Sequence, residues 1–471
     1  MTDTDEILDN ARYLRNVRPI DPDEIHEYVS GHPHPAVVRA VLREHAFELD
    51  LRERADGTFV PVESGAIEPV FTGVERFPEV HTRRFEDLLV ERLGPGWPDG
   101  DSGDRLRRRI DRLKTEYFAD EDVEYDEVTA LAYGVYHLAD YYAAIQYVLD
   151  ELACDGLLGH KLRVLDVGAG TGGPGLGLHD YLPEETLVEY EAVEPSAAAD
   201  VLTHMLSETR PSFGTTVYRE TAETFEPQGT YDLLVFANVL SELDDPVSVV
   251  RRYLSHLASD GTLLALEPAE ERTATRLRAV ERAVADGDDR YTVYAPTVRL
   301  WPGASPSDRG WSFTRKPDIE PPAFQRRLDT GERVGTSRDV GDGTYVNADV
   351  QYAYLLLRRD GCRAVEYEPD PKRFAKMAEM ERHVTERIDL VALKLSPNLS
   401  EDGNPLFKVS DGSEAVDHYA VLTRASALNE SLSRAPYGAL LRFENVLVLW
   451  NDDERAYNLV VDGETVVDRL S

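Results

Sequence analysis

Residues 164–177 read VLDVGAGTGGPGLG and carry the densest chemical signal in the chain. Asp166 stands two places ahead of Gly168, and Ala169, Gly170, Gly172 and Gly173 follow. A strand that ends in glycines and opens a helix brings backbone N–H groups close to a ligand. Any Cβ there would block the approach, and glycine also accepts positive φ. Pro174 suits the first turn of the next helix. Further on, the strand in LVEYEAVEP ends at Glu194, a carboxylate placed to accept both hydroxyl hydrogens of a ribose. His137 and Glu242 are the side chains that could serve as a general base, although each also reads as a packing or surface residue.

Gly168-Ala-Gly170-Thr-Gly172-Gly173 satisfies GxGxxG, so dinucleotide binding must be weighed. Three features favour S-adenosylmethionine. Asp166 could meet the cationic methionine end of that cofactor, directly or through water. Glu194 ends the second strand. A long helical lead-in precedes the motif, with one βα series and no second mononucleotide half. With VLDVGAGTGG, EAVEPS, YDLLVFANVLSEL and GTLLALEP, residues 162–268 resemble the class I S-adenosylmethionine-dependent methyltransferases. The resemblance implies a Rossmann-like α/β sheet. It also implies Asp166, Gly168, Gly170 and Gly172 around the methionine moiety, Glu194 on the ribose and Ala222–Glu223 near the adenine. Asn238, Val239 and Leu240 would line the pocket at the fourth strand.

A narrower resemblance reaches further. ANVLSELDDP, LLALEPAEERTATRLRAVERAV and APTVRLWPG…DRGWSFTRK…PPAFQRRL are similar to the ribosome small-subunit methyltransferase-like family, which includes mitochondrial assembly proteins. Some members carry cysteines for an iron–sulfur cluster in the later segment. Residues 290–345 have none here, so no cluster and no metal is expected. The family implies small-subunit ribosomal RNA, or the subunit itself, as partner. Two base chemistries lack their residues: no Pro pair follows Asn238, and no cysteine nucleophile stands there. A non-catalytic assembly factor and a small-molecule methyltransferase therefore stand as alternatives, and no catalytic residue is assigned.

Elements that position these residues follow from periodicity and punctuation. Residues 1–157 form a helical N-terminal region. Within it, 1–65 reads as a helical extension or a winged-helix-like unit, with helices starting near Asp21 or Asp23 and at His34-Pro35 and a hairpin at ADGTFVPV. Residues 158–360 form the methyltransferase domain, including an irregular Arg/aromatic insertion at 290–345, after which VQYAYLLLRRD returns to the sheet. A charged helix is expected near 370–383. Residues 385–471 alternate short strands and turns, as in an OB-like five-stranded barrel.

The insertion is locally basic in an acidic chain. Residues 299–338 hold eight Lys/Arg against five Asp/Glu, while the chain's formal net charge is −37. Arg309, Arg315, Lys316, Trp311, Arg326 and Arg327 are the expected RNA-binding residues, since arginine beside aromatics suits phosphate contact and base stacking. The helix carrying Arg105, Arg107, Arg108, Arg109, Arg112 and Lys114 could extend that face, and the barrel could add another. Residues from 385 on hold eight Lys/Arg against fifteen Asp/Glu, which shows no basic groove there. Excess carboxylate of this kind keeps proteins solvated in high salt, so a halophilic cytoplasm is expected. No run of about 18 apolar residues exists, so no membrane span is expected. Cys154 and Cys362 are far apart in sequence and have no CxxC or His companions, which argues against disulfide or cysteine–metal chemistry.

Overall fold

The computed structural model describes residues 3–119, 126–334 and 341–470. The chain divides into two compact units, residues 1–233 with 318–348, and residues 234–317 with 349–471.

In chain order the elements begin with α1 (Asp3–Leu14), α2 (Pro22–Tyr28) and α3 (Pro35–Glu44). Each of the last two opens on a proline behind a capping side chain: Asp21 accepts from the Asp23 N–H, and His34 from the Ala36 N–H. After α4 (Ala46–Leu49) come β1 (Leu51–Glu53) and β2 (Phe59–Pro61), an antiparallel hairpin. Ile7, Ile20, Ile25, Val38, Leu42 and Phe59 bury into one small core. Three helices and a hairpin thus share an interior at the N-terminus.

Next come α5 (Glu79–Leu93), α6 (Gly100–Ala119) and α7 (Glu127–Cys154). Asp126 caps α7 by accepting from the Thr129 N–H at 2.8 Å. Strands and helices then alternate: β3 (Lys161–Val167), α8 (Gly173–Tyr181), β4 (Leu187–Val193), α9 (Ala198–Leu206), β5 (Phe213–Tyr218) and β6 (Tyr231–Ala237). In the first unit the order is β5-β4-β3-β6, with β3, β4 and β5 parallel. β6 is buried from Leu233 to Ala237, which is why YDLLVFANVL reads as a near-continuous apolar run.

The chain crosses into the second unit within β6. There follow α10 (Pro246–Leu254), β7 (Leu257–Pro268), α11 (Glu271–Ala285), β8 (Thr292–Ala295) and β9 (Thr314–Lys316). Helix α12 (Ala323–Thr330) belongs to the first unit, and β10 (Val350–Arg358) to the second. Within the second unit the order is β7-β10-β8, with β10 antiparallel to β7, β8 and β9. The expected return of VQYAYLLLRRD is therefore β10. The stretch expected to be irregular is more regular than its composition suggests, because β8, β9 and α12 lie inside it.

The charged helix expected near 370–383 is instead a short 3₁₀ turn, Met377–His383, with Glu379 outside helical dihedrals. Pro369 and Pro371 discourage an earlier start, and a three-residue period suits burial of both Met377 and Met380 in the barrel core. The barrel strands are β11 (Arg387–Lys394), β12 (Leu406–Ser410), β13 (His418–Leu422), β14 (Leu440–Asn451), β15 (Ala456–Val461) and β16 (Val466–Arg469), with α13 (Glu430–Arg434) after β13. The order β11-β12-β13-β15-β14 closes through β11–β14, with β13 and β15 parallel and β16 added outside β14. This is a closed five-stranded barrel of OB type.

Candidate functional site

In the first unit the turn after β3 adopts the backbone that its glycines allow. Gly168, Gly170 and Gly172 have φ of 72°, 54° and 94°, the left-handed region where a side chain is strained. Their N–H groups, however, are spent internally. Gly168 and Ala169 donate to the Val193 carbonyl at 2.8 and 3.2 Å, Gly170 to Glu194 Oε2 at 2.9 Å, and Gly172 to the Ala169 carbonyl at 3.1 Å. The turn is thus a prebuilt cradle rather than an open row of donors.

The remaining glycines serve packing. A Cβ at Gly173 would stand 2.8 Å from the Leu138 carbonyl oxygen; at Gly175, 2.5 Å from Tyr190 Oη; at Gly177, 2.5 Å from Ile145 Cγ2. Helix α8 therefore lies against α7 and β4 at a spacing only glycine permits. The density of glycine in VLDVGAGTGGPGLG has two separate causes, conformation first and then close approach.

Asp166 is buried at the end of β3. Its Oδ2 accepts from Tyr190 Oη at 2.5 Å, while Oδ1 is buried without a partner. Burial pushes its pKa up to about 7, with the Glu194 charge adding to the rise and the Tyr190 hydroxyl opposing it. Glu194 Oε1 accepts from the Ser196 N–H at 3.0 Å and from Ser196 Oγ at 2.5 Å. Oε1 thus accepts two bonds and Oε2 one, so Oε2 keeps lone-pair capacity for one further donor. After β5, Ala222 is buried and Glu223 exposed in a turn closed by Thr221.

In the second unit, Asn238 ends β6 with φ of 60°, and its N–H donates to the Leu266 carbonyl at 2.8 Å. Its Nδ2 is buried without a partner. Val239 and Leu240 are buried. Sequence reasoning missed Glu267, which is fully buried at the end of β7. Its Oε1 accepts from the N–H groups of Leu240 and Ser241 at 2.9 and 3.3 Å, and its Oε2 has no partner. Burial raises its pKa to about 7. The available signal was a carboxylate closing the apolar run GTLLALEP. Arg276 fixes the same loop by donating to the carbonyls of Ser241 and Leu243. Glu242 is exposed on it.

The first unit's features suit S-adenosylmethionine. Asp166 Oδ1 is a buried acceptor lacking a donor, as a cationic methionine end requires, and Glu194 Oε2 can still accept from one hydroxyl. Gly168, Ala169, Gly170 and Gly172 form the cradle. The cofactor would supply an electrophilic methyl group.

The expected RNA-binding residues are placed as follows. Arg309 pairs through Nε with Asp417 Oδ2 at 2.6 Å and through Nη1 with Glu271 Oε1 at 3.3 Å. Trp311 Nε1 donates to the Ala269 carbonyl at 3.0 Å, and its ring stacks on Phe313. Arg315 is exposed, 3.8 Å from Asp349, and Lys316 is half-buried. In the first unit Arg326 pairs with Glu320, and Arg327 pairs with Glu86 and covers the Trp97 ring at 5.2 Å. Arg107 does not share the outer face of α6: it is buried, donating to the carbonyls of Pro98 and Leu328. Arg105, Arg108, Arg109 and Arg112 line a groove of about 380 Å³.

The barrel's β12–β13 side, expected as a further RNA surface, carries the chain's own segment 298–313. Leu300 N–H donates to the Asp411 carbonyl, Trp301 Nε1 to Asp411 Oδ2 at 2.7 Å, and Ser307 N–H to the Glu414 carbonyl. Buried Lys408 bridges Asp308 and Asp417. Those strands are the usual oligonucleotide face of such barrels, and here part of it is already taken. Cys154 and Cys362 are exposed free thiols. Among the described residues no helix is long and apolar enough to cross a membrane.

Residues 72–319 match a family model described as a methyltransferase domain. Models described as the N-terminal and C-terminal domains of a domain of unknown function (DUF8157) match residues 4–55 and 378–470. No curated protein matches the chain. Among solved structures, the chain is similar to the plantazolicin methyltransferase BpumL in complex with SAH, at 10% identity over 59% of this chain and 100% of that one, with a TM-score of 0.31. It is also similar to a putative rRNA-methylase from Clostridium thermocellum, at 12% identity over 28% and 75%, with a TM-score of 0.24. A glycopeptide N-methyltransferase, MtfA, complexed with S-adenosylmethionine, aligns at 21% identity over 22% and 43%, with a TM-score of 0.20. The methyltransferase model covers more than half of the chain, so the protein belongs to that family and is an S-adenosylmethionine-dependent methyltransferase.

Proposed function

We propose that the enzyme methylates small-subunit ribosomal RNA, or acts at the assembling subunit, in a salt-rich cytosol. The observation that carries this reading is the arginine row of α6. Arg105, Arg108, Arg109 and Arg112 follow helical spacing and line one groove, four arginines against Asp126, which pairs with Arg109 at 2.7 Å, in a chain of net charge −37. A positive groove on so acidic a protein suits a polyanion, and arginine suits its phosphates. Exposed Arg315 supports the same reading from the second unit.

The test is transfer of labelled methyl from S-adenosylmethionine to purified small subunits at molar KCl. Arg105→Glu with Arg108→Glu should weaken subunit association and leave cofactor affinity alone. Cofactor binding without transfer to subunits, and without any association, would refute the ribosomal reading and favour a small-molecule acceptor. Association without transfer would favour an assembly factor.

A further inference from the structure

One cluster in the first unit is used by nothing described so far. Helix α7 presents Tyr133, His137 and Tyr141 four residues apart, on a single face. The His137 ring stacks on Tyr141 with centroids 4.9 Å apart and planes 2° from parallel, and lies 5.0 Å from the Tyr133 ring. Tyr133 in turn adjoins the glycine cradle: its Cε1 is 3.8 Å from where a Cβ on Gly170 would stand. The stripe therefore begins beside the cradle and runs one turn along α7 to the imidazole.

Hydrogen-bond accounting fixes the state of that imidazole. Asn347 Nδ2 has two hydrogens. Its two short contacts are Asp140 Oδ2 at 2.9 Å and the Tyr136 carbonyl at 3.1 Å. The Gln325 amide holds the same spot, accepting from the Asn347 N–H at 3.0 Å and donating to the Tyr136 carbonyl at 3.2 Å. No Asn347 hydrogen is left for His137 Nδ1, 3.4 Å away. Nδ1 also lies 3.2 Å from Asp140 Oδ2, an acceptor. Burial raises the Asp140 pKa and the His137 contact opposes that rise; with Asp140 ionised, the neutral ring carries its hydrogen on Nδ1 and donates it to Asp140, which leaves Nε2 with a bare lone pair. Nε2 has no protein partner among the described residues, and the side chain keeps 26% exposure. Asp140 itself is buried, and its Oδ1 is unpartnered.

We infer that His137 Nε2 is the proton acceptor of methyl transfer, with Asp140 and Asn347 as positioning residues, and that the acceptor substrate presents an N–H or O–H on a planar group seated along Tyr133 and Tyr141. The acceptor's lone pair forms the new bond to the methyl carbon, and the carbon–sulfur bond breaks with its pair going to sulfur. The hydrogen on the now cationic acceptor atom passes to Nε2. The resulting imidazolium is held by the Asp140 carboxylate. Lys114, over the Tyr136 ring at 4.3 Å, is the nearby cation on the neighbouring helix α6. This inference rests on the methyltransferase assignment and not on the ribosomal one.

Two measurements on the full-length protein decide it without knowledge of the substrate. In protein carrying ring-¹⁵N histidine, the His137 signals, identified by their loss in His137→Gln, should show Nδ1 protonated and Nε2 bare at mildly alkaline pH. Asp140→Asn should shift the ring toward the Nε2–H form. An Nε2–H tautomer in the wild type would overturn the proposal. Calorimetric titration of S-adenosylmethionine into His137→Gln should give wild-type affinity. A loss of about tenfold or more would make His137 a cofactor ligand and also overturn it. With small subunits as acceptor, His137→Gln should lower kcat roughly 10²–10⁴-fold and abolish the acid limb of its pH profile. If wild-type enzyme transfers nothing to subunits, the ribosomal reading fails alone, and the tautomer and the titration still decide this one.

Discussion

Asp166 and Tyr190 are joined across β3 and β4 by a 2.5 Å hydrogen bond, and the other oxygen of that carboxyl is sealed from solvent with nothing to accept from. Burial, helped by the charge on Glu194, lifts the pKa to about 7. The folded protein therefore holds a proton that the unfolded chain sheds near the ordinary carboxylate value. Stability from this group is present at low pH and is lost as pH rises toward 7. Asp166→Asn has no such ionisation. Its melting temperature relative to wild type should rise steadily between mildly acidic and neutral pH. A difference that stays flat with pH would remove the raised pKa.

The same carboxyl links cofactor binding to protons. A cationic methionine end favours the ionised form, so binding at mildly acidic pH should expel a proton from Asp166. Affinity for S-adenosylmethionine should increase with pH up to about neutrality, by at most tenfold for each pH unit when one proton is released. Calorimetry in buffers of different ionisation enthalpy reads that proton directly. Asp166→Asn should bind more weakly and lose the buffer dependence.

Helix α8 shows glycine used against its own propensity. Alanine normally stabilises a helix by about 1 kcal/mol relative to glycine. At Gly177 the added methyl would meet Ile145 Cγ2 at 2.5 Å and the Tyr142 carbonyl oxygen at 2.6 Å. Gly177→Ala should therefore destabilise the protein by roughly 1–3 kcal/mol in chemical denaturation. Gly287→Ala is the control, since its nearest neighbour would be the Ala283 carbonyl oxygen at 3.7 Å, an ordinary contact. If the two variants behave alike, the close approach of α8 to α7 is wrong.

What was legible in the sequence was local. The cradle, the apolar strands and the short barrel strands are written in turn residues and periodicity over a few positions. Asp21 and His34 announced their helices because a cap acts within three residues. What escaped depends on partners distant in sequence. Glu267 is anchored 27 residues away, by the Leu240 N–H, and nothing in its own neighbourhood says so. The cradle's donors looked available because their acceptors, the Val193 carbonyl and Glu194, come from the next strand. Likewise, Arg309 read as a surface arginine until Asp417 came to meet it across 108 residues. The 3₁₀ turn at Met377 was mistaken for an α-helix because its charges are helical in composition while its two buried methionines repeat every three residues.

Lys408 is the hinge pin of the second unit's polar interior. Its ammonium is buried between Asp308 and Asp417, which also hold Arg282 and Arg309. Burial alone would raise the Asp308 pKa, but Lys408 and Arg282 more than offset it and hold the carboxyl well below its usual range. That stability is present above the ordinary carboxylate pKa and disappears as pH falls through the lowered one. Lys408→Met keeps the length of the stem and removes the charge. Each carboxylate retains an arginine, so the cost should sit near the lower end for a broken buried pair, about 3 kcal/mol. Acid unfolding should begin at higher pH in the variant, because Asp308 then takes up a proton more readily. Wild-type stability together with an unmoved acid transition would mean that segment 298–313 is held to the barrel by its apolar contacts, Leu300 and Trp301 against Leu393 and Leu395, rather than by this charge cluster.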